Sequence, residues 1–119
     1  MAQIKHLPIY KTAYELLETT VRVTKNFPRD FKYSLGDKIR GEVIDLVVFI
    51  FKANATKKER AEHAGKILER VEVIDLLVRL TKDLRLITVK QFSEIVFLSD
   101  SLGRQAQGWI KHSVSLAES

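Results

Sequence analysis

Histidine is the side chain best suited to acid–base or metal chemistry near neutral pH, and this chain has three of them. His6, His63 and His112 fall in separate segments, a distribution typical of surface histidines rather than of a shared metal site. The sequence also lacks the nucleophile elbow, the phosphate-binding P-loop, the dinucleotide fingerprint and the zinc-protease helix. We therefore expect no metal site, no cofactor and no enzymatic activity.

Two aspartates interrupt apolar stretches and are the remaining candidates for chemistry, as a carboxylate pair. Asp45 lies within VIDLVVFIF (43–51) and Asp75 within VEVIDLLV (71–78). Helical bundles that hold metals through carboxylates carry Glu-x-x-His motifs on several helices, and this sequence contains none. We expect each aspartate to meet a basic residue such as Arg40 or Arg79 at an interface.

The composition indicates one α-helical domain that covers residues 1–119. Of the 119 residues, 45% are apolar and 29% are charged, which is ordinary for a globular protein. Two prolines and five glycines are too few for the many turns of an all-β domain. The absence of cysteine excludes disulfides, and no apolar stretch approaches the ~20 residues that span a bilayer. We expect a cytoplasmic protein that does not associate with membranes.

Apolar residues recur every three or four positions in four segments, approximately 8–27, 31–54, 57–84 and 89–115. Pro8 suits the first turn of a helix. Thr88 with Gln91 has the form of a capping box, and so does Thr56 with Glu59. Because connections of roughly two to six residues favour antiparallel neighbours, the pattern predicts an all-α, up-down-up-down four-helix bundle.

The second helix carries more apolar residues than one core-facing stripe requires. A helix of a four-helix bundle shows one stripe to the core and leaves its back to water. Each large apolar side chain left exposed forfeits roughly 1.5–3 kcal/mol. A neighbouring copy of the chain would cover the surplus, although a wide core stripe is the alternative. The predicted interface residues are Val47, Val48, Phe49, Phe51, Ile67, Ile74 and Leu77.

A net charge of +5 favours anionic partners, nucleic acid first among them. The up-down topology places the end of helix one, the start of helix two, the end of helix three and the start of helix four together. Basic residues outnumber acidic ones there by eight to three. Such a concentration binds phosphates with little sequence specificity, and the alternative is a solvated end. The residues of this basic end are Lys25, Arg29, Lys32, Lys38, Arg79, Lys82, Arg85 and Lys90.

Three stretches carry a family resemblance: FPRDFKYSLGDKIRGEVIDLV (27–47), LLVRLTKDLRLITVKQF (76–92) and GRQAQGWIKH (103–112). They resemble the accessory variability protein, Avd, of diversity-generating retroelements. The wider group includes four-helix-bundle proteins encoded by intervening sequences in bacterial 23S ribosomal RNA genes. The segment FIFKANA (49–55) differs from the Asn-Ile-Ala-Glu-Gly type of those proteins, which favours the Avd branch. The residues that match the motifs are Tyr33, Leu35, Gly36, Ile39, Arg40, Gly108, Trp109, Ile110 and Lys111.

The resemblance implies a ring-shaped homopentamer that associates with a reverse transcriptase and binds RNA or cDNA through basic surface. Its role would be that of a non-enzymatic adaptor in retroelement-driven sequence diversification. Two alternatives stay open on the residues alone. One is a structural or regulatory four-helix-bundle oligomer of the intervening-sequence type with no nucleic-acid role. The other is a bundle that binds a small molecule or a metal.

Overall fold

The computed structural model describes residues 4–118, with side-chain detail as far as Ser113. Within that range the chain forms four long helices and no strand: α1 (Pro8–Thr24), α2 (Asp37–Ala55), α3 (Arg60–Asp83) and α4 (Val89–Glu118). A 3-10 turn, Ile4–His6, precedes α1. A short helical turn, Arg29–Phe31, and a π-helical segment, Lys32–Gly36, lead directly into α2. The all-α architecture predicted from the apolar periodicity is confirmed.

Contacts between helices establish that neighbouring helices run in opposite directions. Tyr10 near the start of α1 lies 6.1 Å, between ring centroids, from Phe51 near the end of α2. Arg60 at the start of α3 lies 5.7 Å from the ring of Trp109, far along α4. Packing is cyclic, since α1 contacts α2 and α4, and α3 contacts the same two helices. The result is an up-down-up-down bundle with extents of 52 × 22 × 20 Å.

One of the two predicted capping boxes is present. The Gln91 N–H donates to Thr88 Oγ1 at 3.1 Å, and the Thr88 N–H donates to Gln91 Oε1 at 2.9 Å, so the predicted box opens α4. The box predicted at Thr56 and Glu59 is wrong, because α3 begins at Arg60 and its N-cap Glu59 makes no side-chain cap bond. Arg60 instead donates through Nε to the Ala53 carbonyl at 2.8 Å. The bond connects the first residue of α3 to a backbone carbonyl near the end of α2, across the turn that separates the two helices.

Each helix contributes fully buried aliphatic side chains to one core. Leu16 of α1, Leu46 of α2, Ile74 of α3 and Leu102 of α4 are all inaccessible to solvent. Burying a side chain of this size contributes roughly 1.5–3 kcal/mol relative to leaving it in water. The remaining apolar members of this core are Ile9, Ala13, Val23, Phe27, Ile39, Val43, Ile50, Ile67, Val71, Val78, Ile87, Ile95 and Ala106.

The assignment of Ile67 and Ile74 to an oligomer interface is wrong. Both side chains are fully buried in the chain's own core, so they have no surface to offer a second copy. The buried line along α3 passes through Ala64, Ile67, Val71, Ile74 and Val78. Successive residues of a helix lie about 100° apart around its axis, so the neighbouring Leu68 and Asp75 lie at the edge of this buried line and are half-buried.

Candidate functional site

The antiparallel topology brings the eight predicted basic residues to one end of the bundle. At this end Arg40 of α2 meets Thr24 of α1, and the Lys82 Nζ of α3 lies 4.8 Å from the ring centroid of Phe92 in α4. Six of the eight are exposed, and Lys32 and Lys82 are half-buried. The structure thus places a concentration of accessible positive charge where all four helices meet.

Most of these charges are not neutralised inside the chain. Lys38 does form an ion pair, with its Nζ 3.0 Å from Glu42 Oε1. Lys32 and Lys82 each lie over an aromatic ring, Tyr33 and Phe92 respectively. In the part of the chain with side-chain detail, no ion pair involves Lys25, Arg29, Arg79, Arg85 or Lys90. Five guanidinium and ammonium groups are therefore available to an outside anion.

Arg40 ties the approach to α2 onto α1. Its Nη1 donates to Thr24 Oγ1 at 2.6 Å, and its Nη2 donates to the Lys32 carbonyl at 3.2 Å. The same Nη2 pairs with Asp37, which removes one of the three acidic charges of this end. Gly36 is buried beside this contact. A Cβ at this position would lie 3.2 Å from Arg40 Nη1, which is tighter than an ordinary van der Waals contact. Two of the motif residues, Gly36 and Arg40, thus hold the backbone at the basic end.

The other residues of that motif divide between core and surface. Ile39 is buried in the core, and Leu35 packs against it from the edge. Tyr33 is different, since 65% of its surface is exposed. Its ring centroid lies 5.6 Å from the Lys32 Nζ. An aromatic ring therefore projects into solvent among the basic residues.

Helix α3 ends in a left-handed turn at Arg85, whose φ is 62°. The Leu86 N–H donates to the Thr81 carbonyl at 2.9 Å, and the Arg85 N–H donates to the Lys82 carbonyl at 3.0 Å. This pair of bonds is the Schellman ending, in which glycine usually occupies the left-handed position. An L-residue with a Cβ adopts that conformation at a cost of roughly 1–2 kcal/mol. The chain thus carries an exposed arginine where the backbone favours glycine.

The closing motif lies at the opposite end of the bundle. Trp109 is half-buried and packs against the core, as its position in an apolar stripe predicted. Arg60 lies over its ring. Ile110 is half-buried, and Gly108 and Lys111 are exposed. The two family motifs are therefore brought to different ends and do not form one site.

Two apolar stripes lie on the outside of the bundle. The α2 stripe consists of Ile44, Val48 and Phe51, which are 49%, 40% and 45% exposed. Helix α1 extends it with exposed Tyr14, whose ring lies 6.2 Å from that of Tyr10. The predicted interface residues Val47 and Phe49 lie beside this stripe, half-buried against the core.

The second stripe, the α3 stripe, was missed by sequence reasoning. Leu76, Leu80 and Leu84 are 67%, 44% and 45% exposed, and their spacing of four residues places them on one face of α3. Leu77, which was predicted at an interface, is half-buried beside them. The leucine spacing was the signal that could have identified this face.

The aspartates do not form a carboxylate pair. Asp45 is exposed on α2, whereas Asp75 accepts a 2.6 Å hydrogen bond from the Ser99 hydroxyl of α4. Arg79 is close enough to Asp75 to attract its charge, as expected, but the hydrogen-bond partner of Asp75 is Ser99 rather than the arginine. Among residues 4–118, no three His, Asp or Glu side chains come close enough to hold a metal ion.

The described residues thus form a small helical bundle with one accessible basic end and two exposed apolar stripes. The chain belongs to the bAvd-like family, whose model matches residues 7–113. That family is of an accessory, non-catalytic type. No curated protein matches the sequence. None of the helices in residues 4–118 has both the length and the apolar character of a membrane span.

Proposed function

We propose that this protein is a ring-forming adaptor that holds RNA or cDNA close to a retroelement reverse transcriptase. The observation that carries the proposal is the basic end, where five basic side chains form no ion pair with any other residue whose side chain the structure describes. Phosphate oxygens are the natural partners of such groups, because each contact releases a condensed counterion. Within residues 4–118 the four long helices pack on one another, so none is presented for insertion into a groove and binding is weakly specific for sequence.

Assembly strengthens this surface. In a cyclic oligomer every basic end faces the same side, and several weak contacts along one strand then act together. The two apolar stripes support such an assembly, because leaving Phe51, Leu76 and their neighbours in water forfeits roughly 1.5–3 kcal/mol for each large side chain. Since the stripes differ in sequence and lie on different helices, the α2 stripe of one copy packs against the α3 stripe of the next.

A contact between two unlike faces is head-to-tail, and a head-to-tail contact closes into a ring when its rotation allows. The number of five subunits and the reverse-transcriptase partner both follow from the family resemblance. The ring presents basic residues along one rim for nucleic acid. Its outer surface and its opposite rim remain for the enzyme.

Titration of dye-labelled RNA at two salt concentrations tests the proposal. About five phosphate contacts predict that the dissociation constant rises roughly 100-fold between ~50 and ~200 mM salt. Reversal of two free charges, Arg29→Glu with Lys90→Glu, is expected to abolish binding at the lower salt. The matched control is Lys57→Glu with Lys58→Glu, two exposed lysines at the opposite end.

An oligomer that binds no RNA at ~50 mM salt, where phosphate contacts are strongest, would refute the adaptor proposal. That result would instead favour a structural or regulatory oligomer without a nucleic-acid role. Equal losses in the two double variants would also contradict the assignment of the site to the basic end.

A further inference from the structure

We infer that Tyr33 is a platform on which an unpaired base stacks, so that the basic end selects single-stranded over double-stranded nucleic acid. The inference rests on the proposed function, because it refines what the basic end binds. Its basis is an aromatic ring that the fold does not bury. With 65% of its surface exposed, Tyr33 contributes little to the core.

The other two tyrosines behave differently. Tyr10 lies 6.2 Å from Tyr14 and 6.1 Å from Phe51 between ring centroids, so these rings pack on one another. No aromatic ring is paired with Tyr33 in the part of the chain with side-chain detail. Its recorded ring contact is the Lys32 Nζ at 5.6 Å. Lys32 therefore contacts one face of the Tyr33 ring, and the high exposure of the side chain leaves the other face for a flat partner.

The backbone beneath Tyr33 is held in place. It belongs to the π-helical segment Lys32–Gly36, a rare geometry that is frequent at functional sites. Arg40 donates to the Lys32 carbonyl at 3.2 Å, and the Ser34 hydroxyl donates to the Asp30 carbonyl at 2.9 Å. A ring that projects from a fixed backbone loses little further conformational freedom when a base stacks on it.

The charges around Tyr33 suit the sugar–phosphate backbone of a nucleic acid. Lys32 precedes it, and Arg29 lies four residues before it, one helical turn away. Asp30 is an exposed acidic residue of the same turn, while Asp37 is already paired with Arg40. Positive charge therefore prevails next to the ring. A cationic surface with an exposed aromatic ring is the arrangement that binds single strands.

The ring distinguishes strands by the availability of their bases. In a duplex the base faces are already stacked on their neighbours, so Tyr33 can reach only the phosphates. In a single strand a base can turn onto the ring, and such stacking strengthens binding roughly 5- to 100-fold per base. The phosphate contacts of the basic end are common to both kinds of strand. Stacking on Tyr33 is therefore what makes the affinity for a single strand higher than the affinity for a duplex.

The test compares three fluorescent probes of equal length: a single-stranded oligonucleotide, its duplex, and an abasic strand whose backbone charge matches that of the single strand. Tyr33→Ala is expected to weaken binding of the single strand roughly 5- to 100-fold, to the level of the abasic strand. Its salt dependence should not change, because no phosphate contact is lost. Tyr33→Phe should retain wild-type affinity. Phe97→Ala, at an aromatic ring that is 61% exposed in the first third of α4, is the matched control.

Three results would overturn the inference while leaving the proposed function intact. These are equal affinity of the wild type for single and abasic strands, an equal loss with all three probes in Tyr33→Ala, and dissociation of the Tyr33→Ala oligomer on sedimentation. The last result would place Tyr33 at a protein contact instead. If the wild-type protein binds none of the probes at ~50 mM salt, the proposed function and this inference fail together.

Discussion

The Ser99 hydroxyl donates a 2.6 Å hydrogen bond to Asp75 Oδ1 and so joins α4 to α3 midway along the bundle. Ser99 is fully buried. Burial raises the pKa of Asp75 above its ordinary value, because the low-dielectric surroundings disfavour the carboxylate. The Ser99 bond and Arg79 oppose that rise, whereas the nearby charges of Asp100 and Glu72 add to it.

Asp75→Asn is expected to stabilise the protein at pH 7 or leave its stability unchanged. A folded-state pKa above the unfolded value means that the folded protein binds the proton more tightly. The unfolding free energy therefore falls as the pH rises from below 3.8 through the folded-state pKa of Asp75. Asparagine can still accept the Ser99 bond but carries no charge. The melting temperature of the variant minus that of the wild type should be larger at pH 7 than at pH 3. A smaller difference at pH 7 than at pH 3 would contradict this.

Ser99→Ala is the companion change. It leaves the half-buried carboxylate without its donor, and loss of a hydrogen bond to a charged group costs about 1.5–3 kcal/mol. Denaturant unfolding at pH 7 measures this cost. In the Asp75→Asn background the serine deletion should cost less, because a neutral acceptor is easier to leave unpaired. Equal costs in the two backgrounds would show that Ser99 acts through packing alone.

Arg85→Gly is expected to raise the free energy of unfolding by about 1 kcal/mol, because glycine adopts the left-handed conformation without steric cost. The same change removes a charge from the basic end, so nucleic-acid affinity should fall. Arg85→Ala is the control, since it removes the charge but keeps a Cβ in the strained position. Thermal melts and RNA titrations of both variants separate the two effects. A Gly variant no more stable than the Ala variant would be incompatible with strain at this turn.

Val48→Glu and Phe51→Glu are expected to weaken oligomerisation while leaving helicity intact, because both side chains are about half exposed on the α2 stripe. Leu76→Glu on the α3 stripe should do the same. Each change places a charge where an apolar contact is proposed, so at least a 10-fold weaker association is a rough expectation. Sedimentation and circular dichroism measure the two properties. An oligomer of unchanged size would exclude the altered stripe from the interface.

A mixture of Val48→Glu and Leu76→Glu proteins tests the head-to-tail arrangement directly. The first variant keeps an intact α3 stripe and the second keeps an intact α2 stripe. In the mixture, the intact α2 stripe of the Leu76→Glu protein can pack against the intact α3 stripe of the Val48→Glu protein, and no further contact can form. Native mass spectrometry should therefore show a one-to-one pair. A like-to-like interface would give no such pair.

Ile74→Ala is expected to destabilise the folded chain by about 2–5 kcal/mol, because it opens a cavity in the core. Once folded, the variant should assemble like the wild type, since Ile74 is fully buried in its own subunit. Denaturant unfolding and sedimentation of the same sample check both statements. If the variant assembled more weakly but unfolded at the same denaturant concentration as the wild type, the result would show that Ile74 lies at the interface.

The apolar periodicity was sufficient to predict the helices and their order, because each helix buries one strong stripe. It was insufficient on α3, where Ile67 and Leu68 are adjacent and both apolar, and only packing decides which faces the core. The Thr56 box failed because the helix begins only at Arg60, with Glu59 rather than Thr56 at its N-cap. The basic end could be predicted from topology and charge. The exposure of Tyr33 could not, because it depends on the π-helical geometry before α2.

The alternation of helix directions determines where the chain can be attached to something else. Helix α1 begins, and α4 ends, at the end of the bundle that carries Trp109, while the basic residues gather roughly a bundle length away. A tether or a dye attached next to the start of α1 or the end of α4 therefore leaves from the far side. Molecules immobilised on a sensor chip in this way would all point their cationic tips outward, in one common orientation.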